Sequence, residues 1–258
     1  MKKEEQIAET YLNQLAVGVV KYEPDGNIPP DFSLDSTIGV EVRRLNENYF
    51  AGNQPQGLEE LSIPLERSFQ KLLTSYDSQF DGASYWVGIM YDRPLPGGAK
   101  STVEDMRQAL DGFLANSRTT PVELKVNSRI WFTLHPSRPV SGRVFRPAIY
   151  SDDDSGGMVT HLYVQNISHC IQEKVQKVSP YIQRYPEWWL LLVDTIGAWQ
   201  LEPDEVQQIR AGITSIDCFQ NLLVIDYSGK RCLLKVQQSA AAAPNSTNHD
   251  TRSFDRQG

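Results

Sequence analysis

The sequence has only three cysteines, Cys170, Cys218 and Cys232, far apart and in no metal-ligand spacing. A disulfide framework and a structural zinc site are therefore excluded as organising devices, and the three thiols are expected to be reduced packing residues. There is no run of eighteen apolar residues, so no membrane-spanning helix is expected. The opening Met1-Lys2-Lys3-Glu4-Glu5 is charged rather than a basic stretch leading into an apolar one, and no secretory leader is expected. P-loop, GxGxxG and HExxH patterns are absent, as are internal repeats, which removes the common phosphate cradles and helix-borne zinc chemistry. A surplus of positive charge is missing too: 25 Lys and Arg stand against 32 Asp and Glu, a net charge of −7. That balance weighs against a protein that coats nucleic acid generically, and a cytoplasmic location is expected.

What is present is enough apolar residue, 40% of 258, for one large domain. It is expected to span 1–236, with room for an insertion at 94–160. From Gln237 onward the chain is rich in Ala, Ser, Asn and Thr, a composition that predicts a disordered tail over 237–258. Apolar periodicity predicts helices over Lys2–Ala16, Pro64–Phe80, Thr102–Ala115, Asn166–Tyr185 and Glu202–Ile213. Pro64 suits a first turn, and Pro180 predicts a bend. Strands are predicted at Val17–Tyr22, Tyr85–Tyr91, Val122–Val126, Arg129–His135 and Val144–Tyr150. Trp188–Asp194 is almost wholly apolar, as expected of a strand buried on both faces. Phe219–Tyr227 and Arg231–Val236 read as a hairpin around Ser228-Gly229-Lys230.

The segment Pro30 to Arg43 carries the most chemistry. Phe32 and Leu34 alternate in one arm, Ile38, Val40 and Val42 in the other, and Asp35-Ser36 supplies turn residues, which predicts a hairpin. A two-residue turn would mix apolar with polar partners and send Asp31 and Glu41 to different faces. A three-residue turn at Asp35-Ser36-Thr37 puts Leu34 opposite Ile38, Phe32 opposite Val40 and Asp31 opposite Glu41. Side-chain matching favours this second register, because it makes one face wholly apolar. The other face then gathers Asp31, Ser33, Gly39, Glu41 and Arg43, with two carboxylates close enough to share a hard divalent cation.

Pro30-Asp31 followed by Glu41-Val42-Arg43 resembles the motif of the PD-(D/E)XK, or restriction endonuclease-like, nuclease superfamily. The chain departs from it at Arg43, where that family usually has lysine. Arginine can orient a phosphate but is a poor proton-transfer group. Members are known in which the lysine comes from a neighbouring helix, and Lys174 or Lys177 is placed for that part here. The helix before the hairpin commonly supplies a further acid, for which Glu9 is the choice among Glu4, Glu5 and Glu9. The lysine-bearing helix followed by a buried strand also resembles the later part of some restriction-like proteins from bacteria. The resemblance implies an α/β fold: a restriction endonuclease-like core with a central mixed β-sheet flanked by helices, plus additional strands and helices. Pro64–Phe80 and Tyr85–Tyr91 are expected to complete that core's order of helix, three strands, helix, strand.

The activity implied is Mg²⁺- or Mn²⁺-dependent hydrolysis of phosphodiester bonds, with Asp31, Glu41 and Glu9 as metal ligands. Arg43, Lys174 and Lys177 would serve the reaction. A non-catalytic nucleic-acid- or protein-binding member of the same fold is the alternative, and a lysine near the Asp31/Glu41 pair discriminates the two. A plain interaction module would instead point these acids to opposite faces.

Charge elsewhere is distributed unevenly. From Leu124 to Tyr150 there is no acid, while Lys125, Arg129, Arg138, Arg143 and Arg146 lie among Trp131, Phe132 and Phe145. Such a segment suits a phosphate backbone; a pair of solvated strands with core aromatics suits the pattern equally. Nucleic acid, DNA before RNA, is the expected partner, with a homodimer open and no membrane. Asp152-Asp153-Asp154 reads as a solvated loop rather than a calcium loop. His161 and His169 read as packing or surface residues.

Overall fold

The computed structural model describes residues 1–15, 18–51, 54–116, 118–197 and 200–238. Ala16 and Val17, at the edges of the first expected helix and strand, and the tail from 239 lie outside the described residues. Along the chain come α1 (Lys3–Gln14), β1 (Val20–Tyr22), β2 (Phe32–Leu34), β3 (Ile38–Leu45), β4 (Asn48–Tyr49), β5 (Gln56–Gly57) and α2 (Leu58–Thr74). They are followed by β6 (Ser84–Tyr91), α3 (Ala99–Ala115), β7 (Val122–Lys125), β8 (Ile130–Ser137) and β9 (Phe145–Asp152). Last are α4 (Val159–Val178), β10 (Glu187–Asp194), α5 (Pro203–Gly212), β11 (Asn221–Ile225) and β12 (Cys232–Gln237).

The hairpin has the three-residue turn. Phe32 pairs with Val40, Ser33 with Gly39 and Leu34 with Ile38. Asp35 and Ser36 take positive φ of 46° and 57°, a conformation that short polar side chains tolerate. The Asp35 carboxylate accepts the Val19 N–H at 2.7 Å, tying the turn to the strand before it.

Six strands form a mixed sheet in the order β1-β2-β3-β10-β11-β12. β1, β2 and β3 are antiparallel neighbours, whereas β10 runs parallel to both β3 and β11. One face packs on α1 through Ala8, Leu12, Phe32, Val40, Leu191 and Val193. The opposite face packs on α4 and α5 through Ile167, Ile171, Leu190, Leu192 and Ile209. Leucines 190 to 192 and Val193 thus alternate between two cores, which explains the unbroken apolar run. Each such side chain contributes roughly 1.5–3 kcal/mol on burial.

The segment between β3 and α4 builds a second sheet, β7-β8-β6-β9, with its own core against α2 and α3. This corrects the expectation that helix 64–80 and strand 85–91 complete the first sheet. β6 pairs with β8 and β9 instead, and β3 finds its parallel partner nearly 150 residues later in β10. Helix α2 also starts earlier than Pro64, which sits inside it. Leu58, Leu61 and Leu65 extend the apolar stripe backwards, and that packing outweighs the amide donor lost at proline. No helix among the described residues is long and apolar enough to cross a membrane.

Candidate active site

Glu41 lies in the middle of β3 on the face turned to α4, and Asp31 sits one residue before β2. Beyond the Phe32–Val40 pair the two strands part. There the Asp31 Oδ2 accepts the Val42 N–H at 2.7 Å, so the aspartate caps β3 where the ladder ends. Gly39 permits this layering, because a Cβ there would stand 3.1 Å from the Trp188 ring on β10.

Helix α4 lies across the acids. The Lys174 ammonium is 2.6 Å from Glu41 Oε2 and 3.5 Å from Asp31 Oδ2. Lys177, one turn later, is 3.0 Å from Glu41 Oε2 and 3.6 Å from Asp31 Oδ1. Glu41 is fully buried, yet its second oxygen, Oε1, has no hydrogen-bond partner among the described residues. Burial works against the charge on Lys177, but the facing Glu41 and Asp31 carboxylates prevail and hold its pKa above the ordinary lysine value. Lys177 therefore acts as a fixed positive charge rather than as a base.

Arg43, two residues beyond Glu41 on the same face, forms an ion pair with Glu173 of α4 and donates to Cys170 Sγ at 2.9 Å. Its NH2 stands 3.5 Å from His169 Nε2, and that nitrogen is 3.1 Å from the Glu173 carboxylate. Burial, with a smaller push from Arg43, keeps the imidazole pKa below 6.5 despite Glu173, so His169 is neutral at pH 7. Burial drives the Cys170 thiol up to about 11, which leaves it inert as a nucleophile. His161 is exposed at the far end of α4, two turns from His169.

A cleft of about 890 Å³ opens over this face, lined among others by Arg43, Arg44, His169, Glu173, Lys174 and Lys177. Of the α1 glutamates, Glu4 reaches the cleft lining and Glu9 does not. Glu5 is buried and accepts the Tyr22 hydroxyl at 3.0 Å. The four arginines of the basic segment stand apart from the cleft. Arg129 pairs with Asp92 and Arg143 with Asp77, Arg138 is exposed, and Arg146 lies 3.8 Å over the Trp86 ring. Phe132 and Phe145 are core residues of the second sheet.

His169, read from the sequence as a packing or surface residue, and Glu173, assigned no role from the sequence, complete the Arg43 end of the cleft. Lys174 lies within the apolar stripe of α4, only 9% exposed alongside Ile167, Cys170, Ile171 and Val178. A lysine three residues after Ile171 and seven after Ile167 is the signal that was there to be used.

A second cavity, about 820 Å³, lies at the ends of β10 and β11 and holds Asp194 and Asp226. Both acids are already engaged. Asp194 accepts the Tyr163 hydroxyl at 2.5 Å and the Ile196 N–H at 2.9 Å, and Asp226 organises the turn before β12 through Ser228, Lys230 and Arg231.

No protein-family model, curated protein or solved structure matches the chain. Among the described residues no group of three or more His, Cys, Asp and Glu side chains is arranged to hold a metal ion. The Asp31/Glu41 pair nevertheless suits a hard cation such as Mg²⁺. Such an ion takes one or two carboxylates and fills its remaining positions with water and phosphate oxygens, and the orphaned Glu41 Oε1 is a free donor of the right kind.

Proposed function

We propose that the chain is a metal-dependent nuclease that hydrolyses phosphodiester bonds, DNA being the first substrate to test. The observation that carries this reading is the convergence of Lys174 and Lys177 on the Asp31/Glu41 pair, beneath a cleft lined by Arg43 and Arg44. The order α1, three antiparallel strands, α4, then a strand parallel to the third supports it as well, because it follows the core order of the PD-(D/E)XK superfamily that the hairpin motif resembles.

Asp31 and Glu41 would hold Mg²⁺ or Mn²⁺. When bound, that ion supplies an activated water and neutralises charge on the scissile phosphate. Lys174, almost buried, fixes the Glu41 carboxylate, and its ammonium replaces the lysine missing at Arg43. Lys177, half exposed at the cleft wall, meets the phosphate as a permanent cation. Arg43, braced by Glu173, sets the direction of approach, since its planar donors are held rather than free to turn.

The second reading is a non-catalytic nucleic-acid-binding protein. It is favoured by one observation: the two lysines already balance the two carboxylates in charge. Cleavage of plasmid and single-stranded DNA in Mg²⁺ or Mn²⁺, with Asp31→Ala and Glu41→Ala alongside, separates the two. Cleavage that both variants lose is the expected result. Metal-independent DNA binding without cleavage by the folded wild type would move the assignment to the second reading.

A further inference from the structure

Among the described residues, the second sheet is covered on one face only. Tyr85, Val87, Ile89, Phe132, Leu134 and Phe145 pack against α2 and α3, so the alternate residues point the other way. The register sets them in rows across the strands. Lys125, Trp131 and Met90 form one row, Glu123, Thr133 and Gly88 the next, and His135, Trp86 and Arg146 the third. Lys125 and His135 are exposed, Trp86, Met90 and Trp131 are partly so, and Ile149 beside Gly88 is 67% exposed. Gly88 keeps the middle of the face low, since a Cβ there would meet Thr133 Oγ1 at 2.5 Å. Glycine inside a strand commonly marks a place where a ligand approaches the backbone closely.

We propose that this open face is a docking platform for single-stranded nucleic acid, with bases stacking on Trp86 and Trp131 and phosphates meeting Lys125, Arg138 and Arg146. The proposal rests on the phosphodiesterase reading for the class of partner and extends it to how the strand is held. Charge complementarity selects the occupant. In a chain of net charge −7, the stretch 124–150 has five cations and no acid, and the face itself has Glu123 as its carboxylate. Arg129 and Arg143 are spent on Asp92 and Asp77, whereas Lys125, Arg138 and Arg146 have no carboxylate partner among the described residues. Arg146, stacked on Trp86 and donating to Ser137 Oγ at 3.1 Å, holds one aromatic surface in place. The two tryptophans stand four residues apart along the strands, roughly 14 Å from strand geometry, far enough to take separate bases. Aromatic faces of this kind serve unpaired bases, because a duplex keeps its own bases stacked.

The test is fluorescence anisotropy of a labelled 20-nucleotide single strand with the full-length protein in EDTA, where cleavage plays no part. Tight binding to the single strand, weaker binding to the matching duplex and weakening with salt are expected. The Trp86→Ala/Trp131→Ala double variant loses roughly a hundredfold, and Trp86→Phe/Trp131→Phe recovers most of it. Circular dichroism on each variant separates lost binding from lost folding. Absence of single-strand binding by the wild type overturns the platform, as does binding that survives in the folded double alanine variant. A wild-type dimer that the double alanine variant dissociates, with no affinity for DNA, overturns it in favour of contact between copies of this chain. Failure of the nuclease reading appears separately, as absent cleavage in Mg²⁺ by protein that still binds in EDTA.

Discussion

Two buried ionic clusters in this molecule are finished to different degrees. At the end of β6, Arg93 is held by Asp152, by Asp154 at 3.3 Å and by the Leu58 carbonyl at 2.9 Å. Tyr91 donates to the same Asp152 at 3.1 Å, so Arg93, Asp152, Asp154 and Tyr91 are all engaged with one another. Beneath α4 the count does not close: Glu41 is fully buried with one oxygen unpartnered among the described residues, and Lys177 is nearly half exposed to a cleft. A saturated cluster spends its charges on holding α2, β6 and β9 together. An unsaturated one retains desolvated charge without a full set of partners among the described residues, and burial alone does not distinguish the two.

Substitutions that split stability from activity sharpen this contrast. The largest effect is expected at the acids: Asp31→Ala or Glu41→Ala lowers the metal-dependent cleavage rate by about a thousandfold, the loss of several kcal/mol of transition-state stabilisation. Single-turnover cleavage of a labelled strand measures it, and a drop of less than tenfold in both would remove the pair from the chemistry.

Next come the two buried cations. Arg93→Met strands two carboxylates at a cost of about 3–5 kcal/mol in urea unfolding, and Lys174→Met costs less because Lys177 stays 3.0 Å from Glu41. The Arg93 variant, at temperatures where it stays folded, keeps its cleavage rate, and the Lys174 variant does not. Equal loss of activity in both would erase the distinction between the clusters.

Lys177→Ala falls lower on the scale. Its exposure limits the stability cost to under about 1 kcal/mol, while on the nuclease reading cleavage is expected to drop about a hundredfold with the loss of a cation proposed to meet the phosphate.

The smallest effect is at His169. Its folded pKa lies below the 6.5 of the unfolded chain, so the unfolded state takes up a proton first as pH falls. Stability present above pH 6.5 is lost on the way down to the folded pKa. Urea unfolding at several pH values between 7.5 and 5 is expected to show the wild type losing stability relative to His169→Gln, and parallel curves would remove the imidazole from that balance.

Much of the first sheet could be read locally. Alternation of Phe32, Leu34, Ile38, Val40 and Val42 selects one hairpin register, since slipping it by one residue would expose the whole apolar set. The same register brings Asp31 and Glu41 to one side. The apolar run 190–193 likewise announces a strand between two layers. What stayed hidden was each feature made by residues distant in sequence. Nothing in the hairpin itself signals that Glu41 is buried, an outcome of α4 placing Lys174 and Lys177 over it. Asp152 and Asp154 read as solvated loop acids until Arg93, some sixty residues earlier, is folded against them. Pro64 reads as a helix start because proline punctuates local structure, and only the packing of Leu58 and Leu65 shows that the helix begins before it.

By itself, the sequence determined the turn chemistry at Asp35-Ser36, the period of each strand and helix, and the presence of Asp31 and Glu41 in one hairpin and of Lys174 and Lys177 on one helix. These follow from backbone sterics and apolar spacing, which act over a few residues. Only the tertiary structure decided that β10 rather than β6 lies beside β3, that Lys174 enters the core to reach Glu41, and that Trp86 and Trp131 share an uncovered face. Those outcomes depend on closing loops of tens of residues and on which apolar surfaces then meet, a competition among distant segments that no single stretch of chain encodes.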